Sequence, residues 1–266
     1  MSASRLLIVK IGGNVIDNAN ALNDFVEKFA ALPGKKILVH GGGKLATELA
    51  GQLSVPVNMK DGRRITDSAT LRIATMVYAG LTNKSLVAKL QAAGCDALGL
   101  SGADGNVLQT MKRPVKEIDY GFVGDMMHDS VNVASIKKFL DGGFTPVFSA
   151  ITHNGQGQLL NTNADTIASA LAVAMTSIYE TSLIYCFEKQ GVLRDVNDEN
   201  SVISEVSQSD FERMQKVKTV AEGMIPKLHN AFEALMKGVS LVSIGHASAV
   251  HMIQQQQSGT RMILKR

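Results

Sequence analysis

The sequence predicts an α/β protein built on an open, mainly parallel sheet, and two observations support this prediction. First, apolar runs of strand length alternate with longer segments of helical periodicity through most of the 266 residues. This alternation is typical of βαβ units, in which a helix connects two parallel strands. Second, glycine clusters follow predicted strands, as they do where a strand turns tightly into a helix. The clusters are KIGG (10–13), HGGGK (40–44) and GLSGADG (99–105).

Six segments are predicted strands because each is a short apolar run that ends at turn-forming or polar residues. They cover residues 6–10, 36–40, 96–100, 145–149, 182–187 and 239–244. Between about residues 105 and 130, polar and apolar residues alternate around Pro114 and several glycines. This pattern predicts a β-hairpin at the edge of the sheet.

Three longer segments are predicted helices. Residues 20–32 carry apolar side chains at three- and four-residue steps and are followed by Pro33-Gly34. Residues 67–94 open with an Asp or Ser cap and close on glycine, which predicts one helix or two abutting helices. Residues 163–177 are rich in alanine, which favours close packing against the sheet.

Composition narrows the class of protein. With 27 Lys and Arg against 24 Asp and Glu, the net charge of +3 gives no reason to expect a nucleic acid or a membrane surface as partner. Cys95 and Cys186 lie in separate apolar segments and are predicted to be buried, reduced thiols. The first predicted strand starts too early to leave room for a signal peptide, and no apolar run approaches the ~20 residues of a spanning helix. We therefore expect a cytoplasmic protein.

Several familiar site motifs are absent from the sequence. HGGGK lacks the spacing of a P-loop, no GxGxxG follows a strand, and Ala103 stands where a hydrolase elbow needs its second glycine. Residues 195–206 lack the glycine and glutamate of a calcium loop, and the six histidines have no metal-ligand spacing. The sequence therefore predicts no protein-held metal site.

Two lysines stand at predicted loop edges. Lys10 ends an apolar strand directly before Gly12 and Gly13, where burial would disfavour its charge unless an anion lies nearby. Lys227 follows Pro226 at the predicted first turn of a helix, and taken alone it fits an ordinary solvated side chain. Each glycine cluster, taken alone, fits a tight turn.

Seven segments in order, from residue 6 to residue 263, resemble the amino-acid kinase family. They are IVKIGGNVI, VHGGGK, MKDGRRIT, GLSGADG, GQLLNTNADTIASALA, EGMIPKL and GTRMI. Within the family, the segments DGRRIT and LNTNAD resemble those of the branch that acts on acylated glutamate. The resemblance implies a three-layer αβα sandwich with two lobes on one sheet. Residues 1–178 would bind the acylglutamate and support dimerisation, and residues 179–266 would bind ATP.

The resemblance also implies an activity. The γ-phosphoryl group of MgATP would pass to the side-chain carboxylate of N-acetylglutamate, giving an acyl phosphate in arginine biosynthesis. The Mg²⁺ would be held mainly by the ATP phosphates. A larger acyl group such as succinyl stays open, and so does a non-catalytic sensor of amino acids or nucleotides. Because the N-terminal helix of arginine-inhibited relatives is missing, we expect a homodimer without arginine inhibition.

The resemblance assigns roles to twelve residues. They are Lys10, Lys227 and Asp165 for catalysis; Gly42, Gly43, Arg64, Asn161 and Asn163 for the acylglutamate; and Gly12, Gly13, Glu188 and Gly191 for the nucleotide. Taken without the resemblance, Asp165 fits an ordinary helix-start carboxylate and Arg64 fits a surface charge on a hairpin. One segment departs from the family pattern: CFEKQGVL (186–193) stands where a Thr/Ser-Asp-Val-x-Gly turn is usual, which makes the adenine contacts the least secure of these assignments.

Overall fold

A central sheet organises the structure, a computed structural model that describes residues 4–60, 63–195, 197–216 and 224–264. The strands are β1 (Arg5–Ile11), β2 (Lys35–His40), β3 (Met59–Lys60), β4 (Arg63–Arg64), β5 (Ala97–Leu100), β6 (Met111–Lys112), β7 (Gly124–Asp125), β8 (Thr145–Phe148), β9 (Ile151–His153), β10 (Leu159–Asn161), β11 (Glu180–Phe187), β12 (Glu205–Ser207), β13 (Leu241–His246) and β14 (Thr260–Ile263).

Helices occupy most of the connections between these strands. The α-helices are α1 (Gly13–Ile16), α2 (Ala19–Ala30), α3 (Gly43–Gln52), α4 (Ser68–Ala74), α5 (Asn83–Ala92), α6 (Val133–Asp141), α7 (Ala164–Met175), α8 (Gln208–Lys216), α9 (Ile225–Met236) and α10 (Val250–Gln254). A π-helical segment, Thr75–Thr82, joins α4 to α5, and 3₁₀ turns cover Asp104–Asn106 and Ala247–Ala249.

The central sheet has eight strands within the described residues, in the order β12-β14-β13-β11-β1-β2-β8-β5. The strands from β13 to β5 are parallel to one another, whereas β14 runs antiparallel to β13 and β12 runs parallel to β14. The prediction of a mainly parallel sheet is confirmed. Each of the six predicted strands is also present, with both ends within two residues of the predicted bounds.

The sheet separates two apolar cores, because alternate side chains of each strand point to opposite faces. In β1, Leu6 and Ile8 belong to one core, and Leu7 and Val9 belong to the other. Residues of α3, α4, α7 and α9 pack in the first core. Residues of α2, α5 and α10 pack in the second. Helices therefore cover both faces, and the three-layer αβα sandwich is confirmed.

The predicted helices at residues 20–32 and 163–177 correspond to α2 and α7. The segment 67–94 was predicted to form either one helix or two, and it forms two α-helices. Asp67 provides the expected cap, because its Oδ1 accepts a hydrogen bond from the Thr70 amide at 2.8 Å. The π-helical stretch between the two helices was not predicted. Such segments are rare and are often found at functional sites.

The predicted hairpin between residues 105 and 130 is present as β6 and β7. We expected this hairpin at the edge of the central sheet, but it forms a separate two-stranded sheet. Two more hairpins, β3–β4 and β9–β10, lie beside it. Isolated bridges join the three, through Thr66 with Gly121 and Val123 with Asn161. These hairpins therefore form one connected wall.

Cys95 and Cys186 are buried and free, as predicted. In the described part of the chain, no helix is both long enough and apolar enough to cross a membrane.

Candidate active site

Two neighbouring strands of the central sheet end in glycine turns. β1 and β2 are parallel partners, so Gly12–Gly13 and Gly41–Gly43 follow strands at the same edge of the sheet. Lys10 lies one residue before the end of β1, in register with Tyr185 of β11 and Val39 of β2. Gly43 is the first residue of α3, so backbone amides at that helix start are directed toward this edge.

Three charged side chains form a cluster near this edge, of which Lys10 and Asp165 are buried and Lys227 is partly buried. Lys10 Nζ makes an ion pair with Asp165 Oδ1 at 2.6 Å, and Lys227 Nζ donates a hydrogen bond to Asp165 Oδ2, also at 2.6 Å. Asp165 is in the first turn of α7, and Lys227 follows Pro226 in the first turn of α9. The sequence is therefore folded so that one strand end and two helix starts meet at a single carboxylate.

The cluster contains more positive than negative charge. Burial alone would raise the pKa of Asp165, but the nearby ammonium groups of Lys10 and Lys227 more than offset this effect and lower its pKa to about 2. Asp165 is therefore ionised at neutral pH. One carboxylate opposes two ammonium groups, so the cluster keeps an excess positive charge that favours an anion.

A cavity of about 400 Å³ opens next to the cluster. It is lined by five of the residues predicted to bind the acylglutamate: Gly42, Gly43, Arg64, Asn161 and Asn163. Lys10, Asp165 and Lys227 are not part of its lining, but Ala164 and Thr166, on either side of Asp165, are. The structure therefore places the predicted substrate residues together, directly beside the start of α7.

Several polar side chains of this cavity are fixed by hydrogen bonds. Arg64 is buried and donates to the Gly43 carbonyl at 2.9 Å and to Thr47 Oγ1 at 2.7 Å. Asn163 caps α7, since its Oδ1 accepts from the Thr166 amide at 3.0 Å. Asn161 Nδ2 donates to Thr66 Oγ1 at 3.1 Å. These bonds hold a guanidinium group and two amide groups in position before any ligand binds.

The residues predicted to bind the nucleotide are less closely gathered. The Gly12 amide donates to the Cys186 carbonyl at 2.8 Å, so it is already engaged within the sheet. Glu188 accepts from Asn14 Nδ2 at 2.9 Å, which brings it beside Gly13 at the start of α1. Gly191 lies against Thr260, where an added Cβ would be 2.6 Å from Oγ1. Packing against Thr260 explains this glycine without a ligand.

Two contacts of the site, His40 with Asn83 and Arg113 with Asp125, were not predicted. His40 is fully buried, its Nδ1 lies 2.7 Å from the Gly41 carbonyl, and Asn83 Nδ2 lies 3.0 Å from its Nε2. Burial lowers its pKa to about 4, so the ring is neutral. Arg113 pairs with Asp125 through Nε, at 3.0 Å to Oδ1 and 3.1 Å to Oδ2, and both residues line the cavity. His40 and Asn83 come from distant segments, and no sequence spacing connects them.

Comparisons with known proteins identify the family of this chain. A profile described as the amino acid kinase family matches residues 5–246, which is most of the chain. The chain belongs to the amino acid kinase family. The first residues of its DGRRIT and EGMIPKL segments, 61–62 and 222–223, lie outside the described residues.

Two relatives within the amino acid kinase family are similar over nearly their whole lengths. The acetylglutamate kinase of Bacteroides fragilis is 50% identical over 258 residues, which is 97% of each chain. That of Cytophaga hutchinsonii is 50% identical over 262 residues, 97% of this chain and 98% of its own. Among solved structures, the N-acetylglutamate synthase of Neisseria gonorrhoeae superposes with a TM-score of 0.82 at 20% identity, over 100% of this chain and 61% of that one. At that identity the likeness concerns the fold alone.

Proposed function

We propose that this chain is an acetylglutamate kinase, which transfers the γ-phosphoryl group of MgATP to the side-chain carboxylate of N-acetyl-L-glutamate in arginine biosynthesis. The observation that carries the reaction type is the pairing of Lys10 and Lys227 with the one buried carboxylate of Asp165, beside a cavity that contains Arg64. The two relatives at 50% identity support the same activity.

The acceptor needs no general base. A glutamate-type carboxyl group has a reference pKa of about 4.3, so it is ionised at neutral pH and is already a nucleophile. The neutral His40 is buried against Gly41 and Asn83, and we give it no proton-transfer role. What the reaction requires is alignment of two anions and compensation of the charge on the moving phosphoryl group.

Lys10 and Lys227 supply that compensation in the proposed mechanism. Both ammonium groups are fixed by Asp165, so they need little reorganisation when negative charge develops on the transferring group. Asp165 orients the lysines and takes no part in bond making. Lys10 belongs to the proposed N-terminal lobe, residues 1–178, and Lys227 to the proposed C-terminal lobe, residues 179–266. The phosphoryl group would pass between them.

The cavity suits the acylated amino acid. The planar guanidinium of Arg64 and the Gly43 amide would hold the α-carboxylate, with Asn161 and Asn163 nearby for the amide group. Gly42 lets the backbone of this turn come close to the ligand. The substrate's other carboxylate would then point toward the lysine cluster.

The nucleotide enters as MgATP, with Mg²⁺ held mainly by phosphate oxygens and water. In the described residues, no group of three or more His, Cys, Asp or Glu side chains is arranged to hold a metal ion, and both oxygens of Asp165 face lysines. The phosphates would lie near Gly13, with Gly12 shaping the turn. Glu188 and Gly191 would border the ribose and base.

A second candidate substrate differs from N-acetylglutamate only in its acyl group. Besides Arg64, the cavity is lined by Arg63 and Arg113. These cations favour a ligand with an additional carboxylate, such as N-succinylglutamate, although Asp125 already neutralises Arg113.

We also propose a homodimer in the cytoplasm, where the buried free thiols of Cys95 and Cys186 would stay reduced.

Hydroxamate trapping of the acyl phosphate tests the proposal. The purified chain is incubated with MgATP and either N-acetylglutamate or N-succinylglutamate, and ADP release is followed in parallel. We expect hydroxamate and ADP in equal amounts with N-acetylglutamate. A clear preference for the succinyl compound would change the acyl group but keep the reaction. Absence of turnover with both substrates would favour a non-catalytic sensor.

A further inference from the structure

Tyr78 forms part of the cavity wall but has no role in the proposed mechanism. It belongs to the π-helical segment Thr75–Thr82, and the residue is 5% exposed. It lines the cavity together with Gly42, Gly43 and Arg64. π-helical turns are rare and are frequently found at functional sites, so a role for this side chain in the site is expected.

The ring of Tyr78 lies directly on the turn that starts α3. A Cβ added at Gly42 would be 2.9 Å from Tyr78 Cδ1 and 3.2 Å from Thr82 Oγ1. The first distance is shorter than real Cβ contacts and the second is tight, so the ring packs against the Gly42 backbone and leaves no room there for a side chain. Tyr78, from the π-helical segment, therefore lies in direct contact with the Gly42 turn.

The hydroxyl of Tyr78 extends beyond this contact into the region of Gly43 and Arg64. The atom nearest to a Cβ added at Gly43 is the Tyr78 hydroxyl oxygen, at 4.0 Å. Burial raises the pKa of Tyr78, and the neighbouring Arg64 opposes part of that effect. The phenol therefore stays protonated at neutral pH and keeps its ability to donate.

The partners of this hydroxyl point to a ligand. Arg64 lies close enough to lower the pKa of Tyr78, but a guanidinium group can only donate hydrogen bonds, so it cannot accept the phenol hydrogen. Within the described ranges, the structure gives that hydrogen no acceptor. The Gly43 amide at the start of α3 and the Arg64 guanidinium are donors as well. Three donors thus surround one part of the cavity, which suits a carboxylate.

We infer that Tyr78 binds the acylated amino acid directly, by donating a hydrogen bond from its hydroxyl to the carboxylate that Arg64 and the Gly43 amide hold. The inference takes the identity of the ligand from the proposed function. It adds a substrate-binding residue from the π-helical segment. The transferring phosphoryl group and the nucleotide are not touched by it.

The substitution Tyr78→Phe tests the inference, because it removes the hydroxyl and keeps the ring that supports Gly42. A hydrogen bond to a charged group corresponds to roughly a tenfold or larger change in binding. We expect the KM for the acylglutamate to rise by about tenfold, with kcat and the KM for MgATP changed by less than about twofold. An unchanged KM for the acylglutamate would overturn the inference and leave Tyr78 with a packing role.

Tyr179→Phe is the matched control. Tyr179 is 6% exposed, close to the value for Tyr78, and lies just before β11, near Lys35 at the opposite ends of the strands. Removing its hydroxyl should leave every kinetic constant unchanged. An equal rise in KM in both variants would point to a general loss of stability and would also overturn the inference.

Calorimetric titration separates this inference from the proposed function. N-acetylglutamate is titrated into the wild type and into the Tyr78→Phe variant in the absence of ATP. If the wild type binds the compound but forms no acyl phosphate, the proposed function fails, and a tenfold weaker binding by the variant still supports the role of Tyr78. If neither N-acetylglutamate nor N-succinylglutamate binds to the wild type, both proposals fail.

Discussion

The ammonium group of Lys10 is held at the end of an apolar strand by one carboxylate, that of Asp165. The side chain of Lys10 is only 11% exposed, so its charge is poorly hydrated and depends on the anions around it. Asp165 also binds Lys227, so its single negative charge is shared between two lysines. A phosphoryl group would supply the missing negative charge and so offset the cost of placing a lysine at this poorly hydrated position.

Replacing Lys10 with Met tests this reasoning. The methionine fills a similar volume but removes one of two cations from the proposed transition state, and loss of one such donor lowers rates by roughly a hundredfold or more. We expect kcat to fall by about that factor, with little change in the KM for the acylglutamate. Lys28→Met, at a surface pair with Asp24 in α2, is the control and should keep full activity. A wild-type rate in the Lys10 variant would exclude Lys10 from the site.

The lowered pKa of Asp165 predicts a dependence of stability on pH. Its pKa is about 2 in the folded chain, against 3.8 for an aspartate carboxyl group in water. A depressed carboxyl pKa contributes stability that is complete above the unfolded value and is lost as pH falls through the folded one. For this shift the contribution is about 2 kcal/mol. Between about pH 4 and pH 2, the free energy of unfolding should therefore fall more steeply in the wild type than in Asp165→Asn.

Urea unfolding at closely spaced pH values measures this difference. Both proteins share the remaining carboxyl groups, so only the difference between their two curves reports on Asp165. Parallel curves across this range would show that the lysines do not depress the pKa of Asp165.

At the scale of elements, helix starts carry most of the candidate site. α3 begins at Gly43, α7 places Asp165 in its first turn, and α9 does the same for Lys227. The amide groups of a helix start attract anions, so these helices orient their side chains and add favourable partial charge. The cap that fixes the first turn of α7 is therefore expected to influence catalysis as well as stability.

Two asparagine caps allow that expectation to be measured. Asn163 caps α7 beside the site, and Asn18 caps α2 by accepting from the amides of Asn20 and Ala21. Replacing either with Ala should lower the free energy of unfolding by about 1 kcal/mol. Only Asn163→Ala should also lower kcat, because Asp165 follows two residues later, and raise the KM for the acylglutamate, because Asn163 itself lines the cavity. If both variants keep wild-type kinetics, the cap has no bearing on the site.

The elements differ in how far their sequences determine them. Strands such as β1 and helices such as α2 were predictable because each has a clear period and an evident end. The π-helical segment was not, since its apolar pattern also fits a continuous α-helix and nothing in it marks the wider turn. The hairpins β3–β4 and β9–β10 were not predicted either, because their strands are two or three residues long, too short to show an alternation. The hairpin β6–β7 was predictable only because the longer segment around it alternates.

At the scale of the whole molecule, the candidate site is assembled from contacts between distant segments. Lys10, Asp165 and Lys227 each had a plausible ordinary role in the sequence, and only the resemblance to the amino acid kinase family linked them. The parallel sheet then brings β1 beside β2 and β11, with α7 packed across β1. The Arg113–Asp125 pair and the His40–Asn83 contact carried no motif, because each depends on two segments that meet only after folding.

The oligomeric state is a property of the whole molecule, and the resemblance to the family predicts a homodimer without arginine inhibition. Sedimentation equilibrium of the purified chain should give about twice the 28.4 kDa mass of one chain. Adding millimolar arginine should change neither this mass nor the rate of hydroxamate formation, because an effector alters activity only when it binds two states unequally. Lysine at the same concentration controls for ionic strength. A hexamer, or a rate that falls with arginine but not with lysine, would contradict the prediction and would place a regulatory site on this chain.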